Sequence, residues 1–192
     1  MYVRIISQNV LNYSIPVPAD YVLRINMAWC NSIEELEIIL QKYKNHKIFL
    51  DLPIKRIKPP NNRYSLDDML PIFSKYDQIK YFAISNIESE NDLDVYVKNL
   101  PEDVIIVPKI ESPQAVKNIE SIVKKLKSDE KILMLDHDDL FSNLLKNNEP
   151  SEAFQNYLKD LNTYCTSNNI ILLRTIGVIF SDDEKRSTQY VN

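Results

Sequence analysis

Lys109, Glu111, Asp136, His137, Asp138 and Asp139 fall in two short clusters, each following an apolar, β-branched run. The first run, Val104–Val107, leads into Lys109-Ile110-Glu111, and strand alternation puts Lys109 and Glu111 on one face. The second, Ile132–Leu135, ends in Asp136-His137-Asp138-Asp139. Two carboxylates with open water positions are a usual way to hold magnesium, which keeps waters and shares substrate oxygens. An ammonium and guanidinium nearby would clamp a carboxylate or phosphate. Together they suit a small anionic oxo-acid whose enolate is stabilised by metal and cation. A blander arrangement uses the same residues: Lys109 and Glu111 as a rim ion pair, and Asp139 as the cap of a helix beginning at Leu140. His137 by itself reads as a local hydrogen-bonding residue.

Strands must carry these groups to a common edge, and the sequence supplies them at regular intervals. Apolar runs recur at residues 3–6, 21–25, 47–52, 80–84, 104–107, 132–135 and 170–173. Helix signals stand between most of them. Ser32-Ile33-Glu34-Glu35 reads as a capping box ahead of an apolar stripe at Ile33, Leu36, Ile39, Leu40 and Tyr43. Ser65 and Ser89 are N-cap candidates. Ser112-Pro113 places proline at N1 of a helix whose buried face is Val116, Ile119, Ile122, Val123 and Leu126. A further helix around 151–166 presents Phe154, Leu158, Leu161 and Cys165. Alternating strands and helices, with strands apolar throughout, predict an α/β fold with a parallel sheet. The expectation is an abbreviated TIM-type (βα) barrel of about seven parallel strands, occupying residues 1–192 as one domain. Residues 9–20 are too short and proline-broken for a full first helix, and 181–192 form a polar tail without an eighth strand. A homo-oligomer could cover the incomplete edge.

In such a barrel the C-terminal strand ends carry the active site. The other strand ends offer Arg24 and Asn26, then Asp51 with Lys55 and Arg56, then Ser85, Asn86 and Glu88, and finally Arg174 and Thr175. Charges abutting buried strands are costly unless paired or facing a cleft. Acids and bases at matching ends of several strands are more than core burial requires.

Composition narrows the function classes. A net charge of −4 leaves no electrostatic footprint for nucleic acid or an anionic membrane surface. No apolar stretch approaches the ~18 residues of a membrane span. Cys30 and Cys165 form no CxxC pair and are expected to be reduced thiols in a cytoplasmic protein. Two histidines, His46 and His137, argue against a histidine-rich zinc site. Gly177 is the single glycine, where average usage gives ~13, so a P-loop or a Rossmann GxGxxG is excluded.

Read in order, these residues resemble the catalytic barrel of pyruvate kinase, within the phosphoenolpyruvate/pyruvate-binding barrel superfamily. The resemblance runs from about Tyr21 to Gly177. It rests on Arg24-Ile25-Asn26, on Leu50-Asp51-Leu52 followed by Pro53-Ile54-Lys55-Arg56, on Lys109-Ile110-Glu111 with Val116, Asn118, Ile119 and Ile122, on Asp136 to Leu140, and on Thr175. Lys-Ile-Glu with Asp-Leu is the more specific pairing. The resemblance implies Mg²⁺ (or Mn²⁺) held by Glu111 and Asp139, with Lys109 stabilising the enolate and the transferring phosphoryl group. It implies substrate contacts from Arg24, Arg56, Asp138, Asp139 and Thr175, with Lys109, Thr175 and Arg24 as the catalytic groups. Asn26 and Asp51 would belong to a monovalent-cation site. Departures bear on each role. Ala28, Trp29 and Leu52 replace family residues around potassium and nucleotide, and Asp138 replaces a glycine whose backbone helps bind the substrate carboxylate. The lid domain is reduced to the loop 58–65. The expected function is therefore metal-assisted enolate chemistry on phosphoenolpyruvate, pyruvate or a related oxo-acid. Phosphoryl transfer and a carbon–carbon lyase reaction, like that of the citrate-lyase-type relatives, are the two forms. The alternative is a degenerate barrel that binds a metabolite or a partner protein without turnover.

Overall fold

The computed structural model describes residues 4–8, 16–56, 60 and 62–174. Seven strands appear close to the apolar runs: β1 (Ile5–Ser7), β2 (Val22–Asn26), β3 (Ile48–Leu52), β4 (Ile79–Ile84), β5 (Ile105–Ile110), β6 (Ile132–Leu135) and β7 (Ile171–Arg174). They follow one another in the sheet in sequence order, and the pairs β1–β2, β2–β3, β3–β4, β5–β6 and β6–β7 are parallel. With helices intervening, this is an α/β barrel-like fold. Residues 9–15, part of the loop 58–65, Thr175, Gly177 and the tail 181–192 lie outside the described residues.

The chain forms two compact units, residues 1–85 with 98–106, and residues 86–97 with 107–192. In the first, every residue of β3 is buried, and Leu23, Ile25, Phe49, Phe82 and Ile84 join its core. Helices α1 (Ile33–Lys42) and α2 (Leu66–Lys75) cover it with Leu36, Leu40, Met69 and Ile72. Continuous burial is what a parallel strand covered on both faces requires. Ser32 and Ser65 cap these helices, accepting from the N–H of Glu35 and Asp68. Around Ser65 the capping box is complete, whereas Glu35 turns away from Ser32 and takes the N–H of Asn31 at 2.7 Å.

In the second unit, Ser89 opens a 3-10 turn (Glu90–Leu93) before the short α3 (Asp94–Asn99). The helix expected after Ser112 is two pieces, α4 (Pro113–Lys117) and α5 (Ile119–Lys125). Asn118 sits at the joint with ψ 11°, and its amide donates to the Glu88 carbonyl at 2.7 Å. The apolar stripe runs on across the break, with Val116, Ile119, Ile122 and Val123 all buried. Next come α6 (His137–Lys146) and α7 (Ala153–Ser167), the latter burying Phe154, Leu161 and Cys165. Helix α6 begins three residues before the position expected from Asp139, because Asp136 is its cap. The Asp136 side chain accepts from the Asp139 N–H, and its carbonyl takes the Leu140 N–H at 3.0 Å. Among the described residues no helix is long and apolar enough to cross a membrane.

Candidate metal centre

The ends of β5 and β6 define the site, and each hands the chain straight to a helix. Glu111 follows the last residue of β5 and precedes Ser112, which caps α4. Asp136 follows the last residue of β6 and caps α6. The register of the two strands sets Lys109 against Met134 and Ile110 against Leu135. Beyond the ladder, the Asp136 N–H donates to the Ile110 carbonyl at 3.3 Å, so the pairing continues to the residues that carry the acids.

Oxygen atoms of Glu111, Asp136 and Asp139 lie within 4.8 Å of one another, a spacing that three ligands of one ion could share. Lys109 is buried beside them. Its Nζ is 2.7 Å from Glu111 Oε1 and 3.9 Å from Asp136 Oδ2. The other Glu111 oxygen, Oε2, accepts the Asn86 N–H at 2.8 Å. Asn86 can aim its amide this way because it adopts the left-handed conformation, with φ 56°, which asparagine tolerates better than most residues. The Glu111 carbonyl is held as well, by Asn143 Nδ2 of α6 at 2.8 Å.

Electrostatics show why such a cluster is costly to leave alone. Burial pushes the Glu111 carboxyl above the usual carboxylate range, against the pull of Lys109 and of the hydrogen bonds from Lys109 and the Asn86 N–H. Burial raises Asp136 too, and the neighbouring Asp139 charge adds to the rise while Lys109 opposes it. Three carboxylates against one ammonium leave two negative charges when all are ionised. A divalent cation would balance that count, and carboxylate oxygens are the ligands a hard ion such as Mg²⁺ or Mn²⁺ takes. The α6 N-terminus offsets part of the repulsion, since the positive end of the helix dipole favours anions and the Asp139 N–H donates to Asp136 Oδ1 at 3.3 Å. Glu111 retains only 4% of its side-chain surface against 21% for Asp136, so Asp136 is the more open of the two.

Of the remaining expected site residues, Arg24, Asp51, Asn26 and Arg56 have other partners. Arg24 pairs through NH2 with Asp51 Oδ2, and Asp51 is fully buried on β3. The Asn26 side chain accepts the Ala28 N–H at 3.0 Å and so caps a 3-10 turn (Met27–Trp29). Arg56 donates from Nε to the Pro60 carbonyl at 2.9 Å. Asp138 is exposed on the first turn of α6, and Thr175 lies outside the described residues. The sequence pointed to Glu111 and Asp139 as a ligand pair, and the structure brings Asp136 to the same point. Its signal was an acid directly abutting a buried four-residue strand. Asn86 is among the strand-end residues, but its part depends on a backbone turn, and Asn143 gave no signal because its part depends on the approach of α6.

Among solved structures, the chain is similar to RipC from Yersinia pestis, at 17% identity and a TM-score of 0.59 over 88% of this chain and 79% of that one. It is similar also to a Haloferax volcanii malate synthase in a lead(II) complex, at 12% identity and a TM-score of 0.62 over 84% of this chain and 54% of that one. The chain thus spans about half the length of the malate synthase. No family model and no curated protein matches it. These likenesses show the fold, and they bear on the barrel rather than on pyruvate kinase in particular. The class is an α/β barrel-like protein with three carboxylates that could hold a metal ion.

Proposed function

We propose that this chain is a divalent-metal-dependent enzyme of the carbon–carbon lyase or aldolase type, acting on a small oxo-acid through its enolate. The observation that carries the reading is the meeting of Glu111, Asp136 and Asp139 around buried Lys109. A bound Mg²⁺ or Mn²⁺ would supply Lewis-acid polarisation of the substrate oxo group. Glu111, Asp136 and Asp139 would hold the ion. Lys109 would present positive charge where negative charge gathers on the substrate oxygen, a term worth most in a water-poor site. The malate synthase among the similar folds makes, by its name, a small hydroxy-dicarboxylic acid, and this supports an oxo-acid reading.

Lyase chemistry is preferred to phosphoryl transfer because the latter depends on clamping two phosphates in line. Residues 53–65 between β3 and α2 are too few for a lid domain, and the single glycine leaves no phosphate-cradling loop. The test is thermal and urea unfolding with Mg²⁺ plus pyruvate, oxalate or phosphoenolpyruvate. Ligand at 100 times Kd should add about 2.7 kcal/mol, and Glu111→Gln or Asp139→Asn should abolish the gain. Exchange of pyruvate methyl protons in D₂O, followed by NMR, should require both Mg²⁺ and Lys109. Absence of any shift with all three ligands, metal present, would overturn the reading.

A further inference from the structure

We infer that Asn143 is a positioning residue that sets the size of ion the carboxylate triad accepts; this rests on the metal-dependent reading above. Asn143 lies one helical turn beyond Asp139 on α6, the helix capped by Asp136. Two of the three carboxylates therefore travel with α6, while Glu111 travels with the end of β5. Besides the Lys109–Asp136 ion pair at 3.9 Å, a side-chain hydrogen bond joins the two carriers: Asn143 Nδ2 donates to the Glu111 main-chain carbonyl at 2.8 Å. That carbonyl lies past the last residue of β5 and is the point where the chain turns into α4. Asn143 Oδ1 accepts from Lys146 Nζ at 3.3 Å, in keeping with the amide nitrogen facing Glu111.

Mutual repulsion acts to spread the three carboxylates. The main-chain bond from Asp136 to Ile110 holds the peptide unit that enters Glu111 at 3.3 Å, and the Asn143 bond holds the carbonyl of the peptide unit that leaves it. Asn143 is thus the side-chain half of a two-point hold on the Glu111 backbone, and losing it lets the distance of Glu111 from Asp136 and Asp139 shift. Ion size responds to this distance. Mg²⁺ demands near-ideal geometry at about 2.0–2.1 Å, whereas Ca²⁺ accepts irregular cages at about 2.3–2.6 Å. Loosening the tie should harm the small ion more than the large one. Loss of partners that orient metal ligands typically costs ~10–100-fold in affinity.

The experiment is Mn²⁺ titration of the full chain by EPR, with Mg²⁺ and Ca²⁺ measured by competition, well below the unfolding temperature. Asn143→Leu keeps the shape and removes the donor; Asn143→Ala serves as the second variant should leucine prevent folding. The expected result is ~10-fold or greater weakening for Mn²⁺ and Mg²⁺ with less than about 3-fold for Ca²⁺. Equal weakening of all three ions would reduce Asn143 to a packing role and overturn the inference, as would unchanged Mn²⁺ affinity. In either of those cases the metal reading survives, provided wild-type binding is lost in Glu111→Gln. If wild type binds no Mn²⁺, the metal reading fails and the inference fails with it.

Discussion

Arg24 with Asp51 and Lys109 with its three acids are both strand-end charge groups, one in each compact unit, and they solve the cost of buried charge differently. Arg24 and Asp51 balance one for one. Their charges cancel within the protein, and Asn26, at the same strand end, spends its side chain on a local cap. At Lys109 the acids outnumber the base, and burial raises the Glu111 and Asp136 carboxyls above the usual carboxylate range. The first pair is balanced as it stands, and the unbalanced cluster could take up a cation. Charge near a strand end is therefore a poor sign of function by itself. Its imbalance is the better one.

The difference can be broken hardest at Arg24. Arg24→Leu removes the guanidinium from fully buried Asp51 and should cost about 3–5 kcal/mol in urea unfolding. Added Mg²⁺ should recover none of it; recovery would show that the two regions are not distinct in kind. Lys109→Met should cost a similar amount without metal, but saturating Mg²⁺ should return up to about 2.7 kcal/mol at 100 times Kd. A third variant works in the opposite direction. Asp139→Asn relieves repulsion on Asp136 and should stabilise the metal-free protein by ~0.5–2 kcal/mol while abolishing its response to Mg²⁺. A metal-free protein made less stable by this change would mean the cluster is already balanced.

The smallest effect is in pH. A carboxyl whose folded pKa is raised binds protons more tightly folded than unfolded, so its contribution is full below the unfolded value, about 4, and is lost as pH rises through the folded value. Metal-free wild type should therefore lose stability relative to Asp136→Asn as pH climbs above about 4, by at most ~1.4 kcal/mol per unit. Taking the difference between the two proteins cancels surface acids such as Glu120, which its hydrogen bond to Lys124 holds low. A flat difference curve would place Asp136 in an ordinary environment.

Much of this was readable in advance where local signals decide. The seven apolar runs became strands, and Ser32, Ser65 and Ser112 became helix caps, because both depend on neighbouring residues alone. The break at Asn118 was hidden because the apolar stripe continues through it. The start of α6 was misplaced because Asp136 and Asp139 stand three apart and either could cap a helix. Alternation put Lys109 and Glu111 together, and the 2.7 Å pair follows from it. The meeting of Asp136 with Glu111 required two strands in register, and Asn143 required a helix laid against a strand end. Neither is a property of one segment.

Two acids of the cluster, Glu111 and Asp136, sit where connecting loops would ordinarily be. Only Glu111 and Ser112 separate β5 from α4, and Asp136 alone separates β6 from α6, while residues 126–131 link α5 back to β6. Inserted residues should be tolerated at 126–131, as at most surface connections. A single residue added at 111–112 or at 136 would displace a carboxylate outright. Drift in loop length, the common route by which a barrel acquires new specificity, is closed to this part of the chain, and change there must come by substitution.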